Sequence, residues 1–305
     1  MTHSWKADAQ SEGLRLDKAL SEVLPKLGLR ARRRLLAGGH VRLNGKIAKG
    51  AMRLRQGDVV EWDEPEEKEP EHRAFFLGLE GEFCFFFKPS GLHSCHIAAS
   101  SEPSLESCLP RLLPASIPSG TVRLLQRLDR ATSGIVAAAI TGEAERNYRF
   151  WEKAGKIRKY YLAALIGRLT EDKMADAALD TDNRRKTRIL CHPGDKATFF
   201  HPLKVWDKVE DSPFQGRERE GGPVSLTGCL ISAGQRHQIR AHASWLGYPL
   251  CGDGLYGTGK GAFLLCHCAL SFPGHYTKLD ASLMPDFPSS TRQLVNAWLE
   301  DAEKA

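Results

Sequence analysis

The stretch Leu124-Leu125-Gln126-Arg127-Leu128-Asp129-Arg130-Ala131-Thr132-Ser133-Gly134-Ile135-Val136 passes from apolar to charged and back to apolar within thirteen positions. A strand-like run, Ile135–Ile140, begins where the charges end. Asp129 stands between Arg127 and Arg130. A carboxylate flanked by guanidinium groups is stabilised as the anion. That suits a nucleophile or an electrostatic stabiliser better than a general acid. A loop salt bridge would use the same residue types, so the segment gains meaning only from partners elsewhere in the chain.

Two other segments set polar residues into apolar surroundings. Arg158-Lys159-Tyr160-Tyr161 opens a strand-like run to Ile166-Gly167. A strand tyrosine is ordinarily core, yet its ring can stack on a base and its hydroxyl can donate. Gly234-Gln235-Arg236-His237-Gln238-Ile239-Arg240-Ala241-His242 reads as a glycine-containing entrance to a helix over 237–246. His237 and His242 are five apart and share no helical face, so they do not make a metal pair.

Further strand-like runs are Phe83–Pro89, Ala197–Val205, Ser225–Ser232 and Phe263–Leu270, with helical patterns at 142–153 and 290–303. Strands outnumber helices and the alternation is irregular. The expected fold is α+β with a mixed or mostly antiparallel sheet, not a doubly wound parallel one. Of 305 residues, 42% are hydrophobic and 26% charged, which excludes global disorder. No apolar run of membrane-spanning length occurs, and the first residues lack the apolar centre of an export signal. The eight cysteines are therefore expected as reduced thiols in the cytoplasm. Cys266-His267-Cys268 alternates faces on a strand and has no second pair, so no metal is expected there.

Charge is unevenly spread. Residues 1–60 hold 13 Lys+Arg against 5 Asp+Glu, and residues 61–82 hold 2 against 9. The reading is a basic unit over 1–62, an acidic linker over 63–82 and a larger domain over 83–305. Within the first unit, 13–24 and 29–37 have helical periods, Asn44-Gly45 marks a hairpin turn, and Asp58–Trp62 reads as a strand. Arg30, Arg32, Arg33 and Arg34 share one short helix, and Lys46 follows on the hairpin. Forked guanidinium donors match phosphate oxygens, and the scarcity of aromatic residues favours backbone and shape recognition of a polyanion over base readout.

Taken together, Arg15-Leu16-Asp17, the run Gly39-His40-Val41-Arg42-Leu43-Asn44-Gly45-Lys46 and Gly57-Asp58 resemble the S4-like RNA-binding domain over residues 13–60. The three segments of the larger domain resemble the RluA family of pseudouridine synthases from about 83 to 273. Its signature around the catalytic aspartate, His-Arg-Leu-Asp-x-x-Thr-Ser-Gly, matches Gln126–Gly134. Its Lys-x-Tyr-x-Ala…Gly strand matches Lys159, Tyr161, Ala163 and Gly167. Its Gly-Arg-Thr-His-Gln-Ile-Arg-x-His matches Gly234, His237, Gln238, Ile239, Arg240 and His242. Lys88-Pro89-x-Gly91-Leu92 and Gly252-Asp253-x-x-Tyr256-Gly257 also match. Gln126 stands where the family has histidine, and Gln235-Arg236 where it has Arg-Thr.

The resemblance implies isomerisation of a uridine in RNA to pseudouridine, with no cofactor and no nucleotide. It implies Asp129 as the catalytic carboxylate, Arg240 as its partner and Tyr161 packed against the uracil. Arg127 would fill the gap left by the flipped base, and His237 and Gln238 would lie against the RNA. Large-subunit ribosomal RNA is the expected substrate, with tRNA the alternative, and the chain is expected to act as a monomer. Two rivals stand beside this: a non-catalytic RNA-binding or ribosome-assembly factor, invited by Gln126, and a metal-dependent hydrolase built on His237, His242 and Cys266–Cys268.

Overall fold

A type I′ hairpin turn needs positive φ at both central residues, and Asn44 (φ 51°) and Gly45 (φ 76°) provide it. The computed structural model describes residues 2–25, 32–33, 35–36, 39–63, 74–96, 102–183, 185–208, 211–214 and 222–304. The chain divides into two compact units, Met1–Arg73 with Cys95–Cys108, and Ala74–Ser94 with Leu109–Ala305.

In the first unit the hairpin strands β2 (Val41–Leu43) and β3 (Lys46–Ile47) join β1 (Thr2–Lys6) and β4 (Val59–Asp63). The antiparallel order is β1-β4-β2-β3. Strand β1 escapes the hydropathy pattern because Trp5 is its one large apolar residue; its place comes from pairing with β4, Thr2 opposite Asp63 to Lys6 opposite Val59. The helix expected over 13–24 is shorter, α1 (Leu16–Ala19). Arg15 is bridged to Arg53 as extended backbone, which stops the helix from starting earlier. Residues 32–33 and 35–36 are helical, while Arg30 and Arg34 lie outside the described residues. Leu16, Leu20, Leu36, Val41, Leu54, Val60 and Trp62 make the unit's core.

Asp17 is buried at the edge of that core and binds Arg15 (3.0 Å) and Arg33 (2.7 Å). Arg33 is therefore partly committed to the fold, and Lys46 is exposed on β3. The hydrogen bond from Arg15, helped by Arg33, holds the Asp17 carboxyl down at about 2. A depressed carboxyl contributes stability above its unfolded value, about 3.9, and loses it as pH falls through the folded value. The stability gap between wild type and Asp17→Ala, followed by hydrogen exchange in residues 14–62, should narrow as pH drops from about 4 to about 2.

The second unit is built on a strand that is apolar on both faces. All six residues of β6 (Phe83–Lys88) are buried, as a central strand requires. It pairs with β5 (Phe75–Glu80), Phe75 opposite Phe87 to Glu80 opposite Phe83. This corrects the acidic linker over 63–82. Asp63 ends β4 and residues 75–80 belong to the sheet; the seven carboxylates among residues 61–71 dominate the composition of the stretch and mask the apolar run Phe75-Phe76-Leu77. Residues 64–73 lie outside the described residues.

Along the chain follow α2 (Leu105–Leu112), β7 (Arg123–Leu124), β8 (Ser133–Ala139), α3 (Gly142–Lys153), β9 (Arg158–Ile166), β10 (Lys173–Asp180) and β11 (Arg188–Trp206). Then come β12 (Val224–Ile231), α4 (Gln238–Trp245), β13 (Leu265–Phe272), β14 (His275–Lys278) and α5 (Ser289–Lys304). The ten-stranded sheet runs β10-β11-β12-β9-β13-β8-β6-β5, with β14 beside β13 and β7 beside β8. It is mixed: β8 and β13 are parallel and the other pairs antiparallel. Among the described residues, no helix is long and apolar enough to cross a membrane.

The parallel pair is short, with Cys266 opposite Ser133 and His267 opposite Gly134. Gly134 has φ +119°, and a Cβ there would lie 2.3 Å from the His267 carbonyl oxygen. The last residue of Thr132-Ser133-Gly134 is thus a packing requirement at the strand that follows Asp129. Gly134→Ala should cost about 3 kcal/mol or more, since it adds backbone strain to a clash with main chain. A fall in Tm of the purified protein checks this.

Candidate active site

A charged side chain in a partly dry site needs a partner fixed by the fold. Asp129 lies in the loop between β7 and β8, and the segment after β6 fixes that loop. Ser94 Oγ donates to the Leu128 carbonyl and accepts from the Leu128 N–H, both at 2.9 Å. The Gly91 N–H donates to the Arg130 carbonyl (2.7 Å), and Ser90 Oγ donates to the Ala131 carbonyl (2.8 Å). Lys88 Nζ is buried and donates to the carbonyls of Pro89 (2.9 Å), Leu92 (2.8 Å) and Arg130 (3.4 Å). Burial pulls its amine down to about 7, opposed by the Asp129 charge. Lys88-Pro89-x-Gly91-Leu92 is therefore a cradle for the aspartate's loop.

Arg240 comes from α4, more than a hundred residues along the chain. Its Nη1 lies 3.1 Å from Asp129 Oδ2. Its Nε and Nη2 grip Asp253 at 2.7 and 2.8 Å. The Asp253 side chain is fully buried, whereas that of Asp129 is 22% exposed. Asp253 Oδ1 also accepts the N–H groups of Leu255 (2.9 Å) and Tyr256 (3.2 Å). Burial works against the Arg240 charge, but Asp253 and Asp129 more than offset it and raise its pKa. Burial likewise opposes the Asp253 charge, and Arg240 holds that carboxyl below its usual value. One guanidinium thus joins a buried, satisfied carboxylate to an accessible one.

His237 caps α4 with a left-handed backbone, φ 56°. Its Nδ1 is 3.0 Å from Tyr256 Oη and its Nε2 is 3.7 Å from Asp129 Oδ2. Burial lowers its pKa, against the attraction of Asp129. Tyr161, on β9, is buried with its ring stacked on His267 at 4.6 Å between centroids. Burial, then the Asp129 charge, pushes its hydroxyl far up, so it stays protonated. Arg127 is exposed within the same loop. The structure therefore brings Asp129, Arg240 and His237 together, with Tyr161 within reach of the Asp129 field.

Other expected positions lie elsewhere. Gln238, expected against RNA, is buried; its Nε2 faces the Ala197 carbonyl (3.1 Å) and Thr198 Oγ1 (3.3 Å), and its Oε1 accepts the Gln235 N–H (3.0 Å). A side chain facing inward at the first turn of a packed helix has no face left for a ligand. His242 is buried too, with Nδ1 2.8 Å from Thr198 Oγ1 and Nε2 2.9 Å from the Ala177 carbonyl. Cys266, His267 and Cys268 are buried in β13. Among the described residues no cluster of three or more His, Cys, Asp or Glu is arranged to hold a metal ion. Lys159 pairs with Glu152 of α3 (2.9 Å) away from Asp129.

Gln126 points into the core. Its Oε1 accepts from Tyr148 Oη (3.0 Å), and its Nε2 lies 3.3 Å from the Ile135 carbonyl and from His267 Nδ1. The departure from histidine at this position thus falls behind the site, under the platform on which Tyr161 stacks. Asp253 and Tyr256 were visible in the sequence only as matched letters of Gly-Asp-x-x-Tyr-Gly. Nothing in local pattern signals that one anchors the arginine and the other the histidine.

Asp253→Ala would leave half of a buried guanidinium unpaired, which costs about 3–5 kcal/mol. It should also loosen Arg240 from Asp129. A lowered denaturant midpoint together with abolished turnover checks both.

Comparison with known proteins identifies the family. A family profile described as RNA pseudouridylate synthase matches residues 82–245, and the S4 domain profile matches residues 14–60. An uncharacterized RNA pseudouridine synthase of Chloroflexus aurantiacus is 27% identical over 92% of this chain and 90% of its own. The ribosomal large subunit pseudouridine synthase D of Xylella fastidiosa is 26% identical over 80% of this chain and 72% of its own. The fold resembles that of human RNA pseudouridylate synthase domain containing 1, with a TM-score of 0.53 and 23% identity over 75% of this chain and 96% of that one. With more than half of its length matched by the family profile and an S4 domain before it, the chain belongs to the RNA pseudouridylate synthase family, as an enzyme of the RluA type.

Proposed function

We propose that this enzyme isomerises uridine in large-subunit ribosomal RNA, with Asp129 as the catalytic carboxylate. The observation that carries the reading is the Arg240–Asp129 contact of 3.1 Å at a partly exposed carboxylate. Both near contacts of the carboxylate, Arg240 and His237, fall on Oδ2, which leaves Oδ1 to react. It attacks C1′ of the ribose as a nucleophile, forming an ester that C5 of the uracil later displaces, or it takes the C2′ proton to release uracil as a glycal forms and returns that proton to C2′ when C5 adds to C1′. In either course the N1–C1′ bond breaks, the uracil turns, C5 bonds to C1′, and the C5 proton leaves while N1 gains one. Tyr161, neutral through burial, packs against the uracil with a hydroxyl to donate. Arg127 takes the space that the extruded base vacates, offsetting an unstacking cost of a few kcal/mol. Large-subunit RNA is favoured because relatives such as that of Xylella fastidiosa are named for it, and because a basic S4 unit suits a structured RNA. Nothing in the proposed chemistry requires a cofactor or a second subunit.

The test is release of tritium from uridine C5 in unmodified large-subunit ribosomal RNA. Wild type should release it. Asp129→Asn should release none while binding the RNA within about twofold, since removing the carboxylate charge leaves phosphate contacts in place. Release by Asp129→Asn at the wild-type rate would overturn the assignment.

A further inference from the structure

The turn from β10 into β11, with the strand ends that flank it, carries among the described residues three exposed cations, Arg185, Lys186 and Arg188, against the carboxylates of Asp180 and Asp182. No ion pair engages these three cations among the described residues, whereas Arg15, Arg33, Arg149 and Lys159 elsewhere are held by buried or half-buried carboxylates. The main chain of the same turn is tied down at several points. Arg236 Nη2 donates to the carbonyls of both Thr181 and Asn183. Thr187 Oγ1 donates back to the Arg236 carbonyl at 2.8 Å, and the Thr187 N–H donates to Tyr256 Oη at 2.8 Å. That tyrosine hydroxyl is the one that meets His237 beside Asp129. Lys186 Nζ lies 5.0 Å from the centroid of the Tyr256 ring, and Arg240 lies 5.3 Å from it. Thr181, Asn183 and Thr187 are thus held in place, the three cations beside them have no ion pair among the described residues, and the anchors are shared with the candidate active site.

We propose that this turn is a phosphate-binding arm for the RNA strand entering the site, and that Arg236 is the positioning residue that holds it. The proposal rests on the RNA isomerase reading and adds to it where the strand lies. Guanidinium and ammonium groups with no carboxylate partner are the chemistry that takes phosphate oxygens. A backbone fixed in advance lowers the ordering cost of that contact. Arg236 stands where the family pattern has threonine, and a threonine hydroxyl is too short to bridge two carbonyls of the turn. The arm is thus a feature of this chain's own sequence, and it governs how the strand is gripped rather than how the bond is broken.

The test uses the full chain and a uridine-containing RNA hairpin, with affinity measured across a series of KCl concentrations. Removing one phosphate-neutralising cation lowers the slope of log K against log salt by about 0.7–0.9. The triple variant R185Q/K186Q/R188Q should lower the slope by about 2 and raise Kd at least about 10-fold at about 150 mM salt. Its single-turnover rate on saturating RNA should change less than about threefold, because these residues touch no reacting atom. Arg236→Thr should lower the slope although all three cations remain, and Arg236→Lys should restore at least half of it. Those outcomes support an arm held by Arg236. A triple variant with the wild-type slope overturns the arm. If Arg236→Thr, with its melting temperature intact, keeps the wild-type slope, the positioning role is overturned; should it fail to fold, Arg236→Lys against the triple variant decides the same point. The slope is read without turnover, so a wild type that binds RNA yet releases no C5 label would overturn the isomerase reading while leaving the arm tested.

Discussion

The arrangement around Arg240 is the constraint on which the second unit's chemistry depends. A guanidinium largely withdrawn from water is costly unless its donors are met, and Asp253 meets two of them from a fully buried position. That contact is structural in its energetics: it is dry, bidentate and backed by two backbone N–H groups. The remaining face of the guanidinium then has a fixed direction, toward Asp129. The accessible carboxylate is thus oriented by a charge whose own orientation is determined elsewhere, which is preorganisation in its simplest form.

The residues around this pair divide by what they touch. Lys88, Ser90, Gly91 and Ser94 bind main-chain groups of the Asp129 loop and set where it runs. His267, Gln126 and Tyr148 form a buried layer behind Tyr161, and burial drives the His267 imidazole down to about 3, so this layer stays neutral. Tyr256 links His237 to the β10–β11 turn. Few of these groups touch Asp129, yet each restricts one that does. A sheet whose central strands are buried along nearly their whole length can hold such a layer rigidly.

Much of this was legible in the sequence, for identifiable reasons. Helix α3 falls on the expected 142–153 because Thr141 caps it, accepting the Ala144 N–H, and its period is strong. Strand β6 was evident from an unbroken apolar run. Strands β1, β10 and β14 were not, because edge and hairpin strands are identified by pairing rather than by composition. The linker reading failed at 75–80 because net charge averaged over a window concealed a strand between acidic ends. Gln238 is a similar case: its neighbours His237 and Arg240 face Asp129, while the helical turn carries it to the opposite side.

By itself the sequence determined the mixed α+β class and the residue types at the three segments that converge, because periodicity, turn chemistry and charge are local properties. Tertiary structure alone decided which of those residues meet. Asp129 and Arg240 are separated by 111 positions, and their contact depends on a buried anchor, Asp253, that no local pattern distinguishes from any other aspartate. It likewise decided that Gln126 points into the core and that Arg236 reaches across to the β10–β11 turn. Direction in space is set by packing between strands distant in sequence, and a one-dimensional pattern carries no record of it.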